Sequence, residues 1–184
     1  MPPEGLQRAD YFAAAFSILS ESGHNGLTIP ALCQRLRVTK GSFYHHFDSL
    51  SEFVDALLDY WAAEHATRLI AQSEAVSTVV ERFEILKGIA IGLPHGAEAA
   101  IRAWGWSNHR VAEAQRLVDQ ARLTHLARAG EGLGLTPERA RLKAKISMSV
   151  MIGMQQLERP ASPEAMEEVF SELQRWNLES IQNA

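Results

Sequence analysis

The stretch Leu27–Phe47 constrains the fold more than any other part of the sequence, because it has the pattern of two short helices joined by a tight turn. Thr28 is an N-cap residue, and Pro30 follows in the first helical turn, where its missing N–H needs no partner. Thr39 is a second N-cap residue and begins another helix eleven positions later. The sequence therefore predicts a helix-turn-helix in this stretch.

The second of these helices has one apolar side and one polar side. Phe43 and Phe47 lie four residues apart and form the buried stripe. Residues 24–47 contain three cations and no acidic residue. An exposed side of hydrogen-bond donors without carboxylates suits the phosphates and base edges of a DNA major groove. The residues expected on that side are Lys40, Gly41, Ser42, Tyr44, His45 and His46.

Over about its first sixty residues the chain resembles the tetracycline-repressor (TetR) family of one-component bacterial regulators. The residues that carry the resemblance are Thr28, Val38, Thr39, Gly41, Tyr44 and Phe47. Two positions depart from the family pattern. Arg37 stands where the turn usually has glycine, so a left-handed or bridge conformation is expected there at some steric cost. Leu50 replaces a usual lysine, which removes one expected phosphate contact.

The resemblance also implies roles for individual residues. Lys40, Ser42 and His45 would face base edges, and Gly41 would let the backbone approach the DNA closely. The phosphates would be positioned by Thr28, Thr39, Tyr44 and His46. The alternative is an ordinary helical hairpin with a solvated polar face.

Beyond this stretch the composition is that of an all-α protein. Long proline-free segments rich in Ala, Leu, Glu, Gln and Arg separate the prolines. We predict two domains, a three-helix DNA-binding domain over residues 1–48 and a helical ligand-binding and dimerisation domain over residues 49–184. The predicted helices, about nine, are Leu6–Ser22, the two described above, Ser49 to about Ile70, Val79–Ile91, Ala97–Trp106, His109–Ala129, Pro137–Leu157 and one after Pro163.

Several other functions lack a sequence signal. The chain has no glycine-rich phosphate loop, no Gly-x-Ser-x-Gly and no His-Glu-x-x-His, so we predict no catalytic site and no cofactor. His45 and His46 are adjacent and point about 100° apart on a helix, so we predict no metal site. Cys33 is the only cysteine, which excludes an intrachain disulfide and suits a cytoplasmic location. Ile146–Leu157 is the longest uncharged apolar stretch and is too short to span a membrane.

Large apolar and methionine side chains in the second part of the chain are candidates for a ligand cavity. The alternative is that they fill the helical core. The cavity interpretation is supported only by the resemblance, which implies that inducers bind among the fifth to eighth helices. The candidate ligand-binding residues are Trp61, Phe83, Trp104, Trp106, His109, Met148, Met151 and Gln155.

The last two helices have apolar stripes that exceed what one small bundle can bury. Pairing them with the same helices of a second chain into a four-helix interface would cover this surface. The candidate dimer-interface residues are Met154, Met166, Phe170, Leu173 and Trp176.

Together these expectations describe a homodimeric, ligand-responsive transcriptional regulator. We expect a repressor that binds a palindromic operator in double-stranded DNA and is released by a small, mainly apolar effector. The alternatives are a helical small-molecule-binding protein that does not bind DNA, and an enzyme on the same scaffold.

Overall fold

A computed structural model of the chain describes residues 6–64, 78–157 and 162–182. Over these residues the protein is all-helical, as predicted. The nine α-helices described are α1 (Arg8–Ser22), α2 (Ile29–Leu36), α3 (Lys40–His46), α4 (Leu50–Ala62), α5 (Val79–Ile91), α6 (His95–Gly105), α7 (His109–Gly132), α8 (Pro137–Leu157) and α9 (Pro163–Gln182). A short 3₁₀ turn at His24–Gly26 joins α1 to α2. The predicted end of the fourth helix near Ile70 lies outside the described residues.

The helix starts follow the capping residues of the sequence. Thr28 Oγ1 accepts a hydrogen bond from the Ala31 N–H at 3.3 Å, and Thr39 Oγ1 accepts one from the Ser42 N–H at 3.4 Å. Ser49 Oγ accepts from the Glu52 N–H at 3.1 Å at the start of α4. Each of these bonds satisfies an N–H that has no partner within its own helix. Local side-chain chemistry therefore determines where the helices of the helix-turn-helix begin.

The turn between α2 and α3 has Arg37 in the left-handed conformation, one of the two conformations expected there. Arg37 has φ 56° and ψ 44°. The Val38 N–H donates to the Cys33 carbonyl at 2.9 Å, and the Arg37 N–H donates to the Gln34 carbonyl at 3.2 Å. These two bonds form a Schellman motif, which usually has glycine at the left-handed position. Burial of the Cys33 side chain against this turn raises the pKa of its thiol.

We expect Arg37→Gly to raise the free energy of unfolding by about 1 kcal/mol, because glycine adopts the left-handed conformation without the clash of a Cβ atom. Urea denaturation followed by circular dichroism measures the change. Arg37→Ala is the matched control, since it removes the charge but keeps the Cβ atom. A gain of the same size in Arg37→Ala would show that charge, rather than backbone strain, determines stability at this position.

The chain forms two compact units. The first contains the residues up to Trp61 together with Pro94–Gln115, and the second contains Ala62–Leu93 and the residues from Arg116 onward. The first unit therefore includes α4, α6 and the start of α7 in addition to the helix-turn-helix. The predicted domain boundary between residues 48 and 49 stays a prediction.

In the first unit, α6 and the start of α7 support the helix-turn-helix. Gly96 allows close packing of α6 on α1, because a Cβ atom at this position would lie 3.0 Å from Ser20 Cβ. Trp104 stacks on His24 with ring centroids 5.5 Å apart and an interplanar angle of 8°. The Arg110 guanidinium donates to the Asp55 carboxylate of α4 at 2.9 Å. The supporting helices thus contact both α1 and α4.

The second unit has a core of apolar side chains from α5, α7, α8 and α9. Met148, Met151, Met166 and Phe170 are buried in one cluster with Leu93. Capping boxes or N-caps begin its helices, as at Thr78, whose hydroxyl accepts from the Glu81 N–H at 3.2 Å. Among the described residues, no helix has the length and apolar content needed to cross a bilayer.

Candidate nucleic-acid interface

The inner side of α3 is fixed by a cluster of aromatic rings. Phe43 is fully buried and Phe47 nearly so. Their ring centroids lie 5.4 Å apart, and both contact Phe53 at the start of α4, at 5.7 Å and 4.9 Å. Because Phe43 within α3 and Phe47, the residue that ends this helix, are both held in this way, the orientation of α3 about its own axis is determined.

Tyr11 of α1 completes this cluster and was not singled out from the sequence. It is fully buried, and its ring lies 5.9 Å from that of Phe43 and 5.6 Å from that of Phe47. Its hydroxyl shares a hydrogen bond of 2.9 Å with Ser42 Oγ. The i, i+4, i+7 spacing of Tyr11, Ala15 and Ile18 is the sequence signal that could have identified it.

Arg8 is a second residue that sequence reasoning missed. Its guanidinium donates to the Glu52 carboxylate at 2.9 Å and to the His46 carbonyl at 3.3 Å, and it lies 4.4 Å from the centroid of the Phe47 ring. Arg8 thus links α1 to the end of α3 and the start of α4. No local pattern predicts this link, because its partners lie 38 and 44 residues further along the chain.

The outer side of α3 carries most of the predicted DNA-binding residues. Lys40, Gly41, Tyr44 and His45 are exposed, with Tyr44 at 53%. Thr28 and Thr39 are also exposed, and their hydroxyls cap α2 and α3. The structure therefore brings six of the eight predicted residues to the surface of the helix-turn-helix.

The remaining two predicted residues, Ser42 and His46, are half-buried against α1. Besides the Ser42 hydrogen bond to Tyr11, the His46 ring lies 5.3 Å from the Tyr11 ring. These contacts hold α3 on α1. Two side chains predicted to face DNA thus also have a structural role, which their spacing alone could not reveal.

The charge of this surface is positive. Arg35 is paired with Glu21, with one hydrogen bond of 2.8 Å and a second to the other carboxylate oxygen. The Arg35 guanidinium lowers the pKa of the Glu21 carboxyl, so this pair stays ionised. Arg37 and Lys40 are exposed and form no ion pair with any residue that the structure describes. These two uncompensated cations favour contact with phosphates.

The predicted ligand-binding residues fall into both units. Phe83, Met148 and Met151 line one cavity of the second unit, and Gln155 is buried in the same unit. Trp61 belongs to the first unit, where it is fully buried. The other three, Trp104, Trp106 and His109, also belong to the first unit. Trp104 stacks on His24, whereas Trp106, at 92%, and His109 are exposed. The structure therefore brings together only part of the predicted set.

Four of the five predicted dimer-interface residues pack within one chain. Met166 is fully buried and Phe170 is 8% exposed, so these side chains have almost no surface to offer a second chain. Met154 and Leu173 are half-buried against the same core cluster. Trp176 is 48% exposed and lies beneath the Lys143 ammonium, 4.7 Å from its ring centroid. The apolar stripe of α9 thus serves mainly the core of the second unit.

Within the described ranges, no group of three or more His, Cys, Asp and Glu side chains could hold a metal ion.

A short helix with a buried aromatic stripe and an exposed, basic polar side, preceded by a capped helix and a tight turn, defines a helix-turn-helix protein. Residues 12–57 match the family model described as bacterial regulatory proteins, tetR family. Over this segment the chain is similar to the tetR family. The resemblance seen in the sequence is thereby confirmed.

The structural relatives extend the fold similarity over nearly the whole chain. A transcriptional regulator from Rhodococcus sp. Rha1 is 20% identical, with a TM-score of 0.75 over 95% of this chain and 97% of that one. A TetR transcriptional regulator from Legionella pneumophila is 14% identical, with a TM-score of 0.79 over 97% and 98%. A TetR-family regulator from Agrobacterium tumefaciens is 22% identical, with a TM-score of 0.76 over 91% and 96%. No curated protein sequence matches this chain.

Proposed function

We propose that the protein is a ligand-responsive transcriptional regulator, most simply a repressor, that binds a palindromic operator as a homodimer through α3. The observation that carries this proposal is the arrangement of α3, which buries Phe43 and Phe47 and exposes Lys40, Tyr44 and His45. Lys40 can donate to guanine, and a backbone approach at Gly41 brings the helix deep into the major groove. Tyr44 can donate its hydroxyl to a phosphate.

Exposed apolar side chains on α8 support dimerisation. Leu142 is 53% exposed and Leu157 is 81% exposed. Ile146 lies between them on the same side of the helix at helical spacing and is half-buried. A contiguous exposed apolar patch marks a contact with another chain, and we infer that these three residues form part of such a patch on α8. A two-fold dimer would present two copies of α3 about 34–36 Å apart, the spacing of successive major grooves.

Charge complementarity supports the same interface. The first half of α8 carries Arg139, Arg141, Lys143 and Lys145, whereas the exposed side of α9 carries Glu164, Glu168 and Glu172. An antiparallel arrangement of two chains that places α8 against α9 of the partner would bring opposite charges together.

In the proposed mechanism, the effector binds the second unit and favours a conformation in which the two α3 helices have the wrong separation for DNA. A differential affinity of about 1–3 kcal/mol between the two conformations is sufficient for regulation. The cavity lined by Phe83, Met148 and Met151 supports an apolar effector.

We expect Gly41→Ala to weaken DNA binding by about ten-fold or more without destabilising the fold. A Cβ atom at this position would meet only Thr39 Oγ1 at 3.6 Å, which is an ordinary contact, so the free protein has room for it. Against DNA the added methyl group would separate the backbone from the base edges. Fluorescence anisotropy with labelled duplex measures the affinity, and thermal unfolding verifies the fold. Unchanged affinity would mean that the backbone of α3 does not approach DNA at this point.

We expect Tyr44→Phe to weaken binding to all duplex sequences to the same extent, because it removes only a hydroxyl donor to a phosphate. A hydrogen bond to a charged group contributes about 1.5–3 kcal/mol, so the loss should be about ten-fold or more. The slope of affinity against salt concentration should not change, since the phenol is neutral. An effect confined to some DNA sequences would instead assign Tyr44 to base recognition.

A further inference from the structure

The cavity in the second unit lies among α5, α7, α8 and α9. It has a volume of about 100 Å³. Most of its lining is apolar, with two aromatic rings and two thioethers, and three polar side chains reach it. The apolar lining includes Phe83, Ala90, Leu126, Met148, Met151 and Phe170, and the polar side chains are Lys87, Ser147 and Gln174.

Lys87, the cation among the lining residues that the structure describes, is already compensated. Its ammonium lies 3.1 Å from a carboxylate oxygen of Glu84 and 3.0 Å from one of Glu167, and it donates to Ser171 Oγ at 3.4 Å. The Lys87 side chain is only 18% exposed. The three hydrogens of the Lys87 ammonium therefore have acceptors. The cluster of Lys87, Glu84 and Glu167 carries two negative charges and one positive charge.

The pKa values of these groups keep all three ionised at neutral pH. Hydrogen bonds from Gln174 and Lys87 lower the pKa of the Glu84 carboxyl. The hydrogen bond from Lys87 lowers the pKa of the Glu167 carboxyl, and both carboxylates raise the pKa of the Lys87 ammonium. The cluster thus keeps a net negative charge where α5 meets α9.

We propose that the effector is an uncharged molecule about the size of one substituted benzene ring, and that carboxylates are rejected. This inference rests on the proposed function and specifies the class of its ligand. A bound carboxylate would lose part of its hydration while finding Lys87 occupied by Glu84 and Glu167, so no free counter-charge would offset the cost. A cationic ligand would also lose hydration among the apolar side chains, and neither Glu84 nor Glu167 lines the cavity to offset that cost.

The size and chemistry of the lining favour an aromatic ring. An apolar cavity of about 150 Å³ binds benzene, so a site of about 100 Å³ that is partly open to solvent has room for one ring and not for a long chain. Met148 and Met151 supply sulfur atoms that make favourable contacts with ring edges, and Phe83 and Phe170 supply edge-to-face partners. Ser147 and Gln174 can hydrogen-bond one hydroxyl or carbonyl group of the ligand.

The test compares three probes of nearly equal size by isothermal titration calorimetry at pH 7.4 with the full chain. Benzyl alcohol is neutral, benzoate is an anion and benzylamine is a cation. We expect benzyl alcohol to bind at least about ten-fold more tightly than either charged probe. Ala90→Phe, which fills the cavity, should abolish this binding, whereas Ala103→Phe at an exposed position of α6 should not. If Ala90→Phe fails to fold, Ala90→Leu replaces it.

Two results would overturn the inference. One is benzoate or benzylamine binding as tightly as benzyl alcohol, in a manner that Ala90→Phe or Ala90→Leu abolishes. The other is the absence of binding by all three probes. A parallel titration of the protein–DNA complex with benzyl alcohol keeps the two proposals distinct. Binding in the cavity that leaves DNA affinity unchanged would refute the ligand-release part of the proposed function and leave the ligand class supported.

Discussion

The double substitution Leu142→Glu and Leu157→Glu should convert the protein to a monomer and lower its affinity for a palindromic operator by about 10²–10⁴-fold. The two leucines are exposed in the single chain, and carboxylates introduced along this side of α8 would face the acidic side of α9 of the partner across the proposed interface. A monomer binds only one half-site, so it loses the high effective concentration that links the second half-site to the first. Analytical ultracentrifugation and anisotropy titrations measure the two effects.

The matched control for this prediction is Leu117→Glu. Leu117 is 52% exposed, as Leu142 is at 53%, but it lies on α7, outside the proposed interface. We expect this variant to remain a dimer with unchanged operator affinity. A monomeric Leu117→Glu variant, or a dimeric double variant, would locate the interface elsewhere.

The second large effect is expected at Phe43. Phe43→Ala should lower the free energy of unfolding by about 3–5 kcal/mol, because it empties a fully buried position among other aromatic rings. Those rings are Tyr11, Phe47 and Phe53, with centroids 5.4–5.9 Å from that of Phe43. Urea denaturation measures the loss, and DNA binding should disappear with the structure of α3.

The neighbouring residue provides the comparison. Tyr44→Ala should lower the free energy of unfolding by only about 0.5–1.5 kcal/mol, since Tyr44 is 53% exposed and its ring makes an edge-to-face contact with Phe43 at 5.6 Å. Substitution of Phe43 would then mainly affect the free energy of unfolding, and substitution of Tyr44 would mainly affect DNA binding. Equal losses in the two variants would mean that the side of α3 assigned to DNA is part of the core.

The features that could be predicted from the sequence are those that depend on neighbouring residues. The N-caps at Thr28 and Thr39 are determined by side chains within a few positions, and both are present in the structure. The resemblance implied a left-handed or bridge conformation at Arg37, and the left-handed one is observed. The Phe43 and Phe47 stripe follows from helical spacing alone. The fifth helix has the predicted bounds, Val79–Ile91.

The features that could not be predicted depend on distant partners. The tryptophans were grouped by size, but Trp61 lies in the core of the first unit, Trp104 stacks on His24 and Trp106 faces solvent. Spacing along a helix shows which residues share a side, and it does not show whether that side meets a cavity, a core or water. For the same reason Met166 and Phe170 appeared suited to a dimer interface, whereas they fill the core of their own chain.

Selection of bound fragments from a pool of random duplex DNA tests the central claim most directly. The proposed arrangement of two α3 helices predicts enrichment of a two-fold-symmetric sequence whose half-site centres are about 10–10.5 base pairs apart, or a multiple of that distance. The Gly41→Ala variant should enrich the same sequence weakly. A pool that shows no recurring symmetric sequence after selection with the purified chain would contradict the claim that the exposed side of α3 reads DNA.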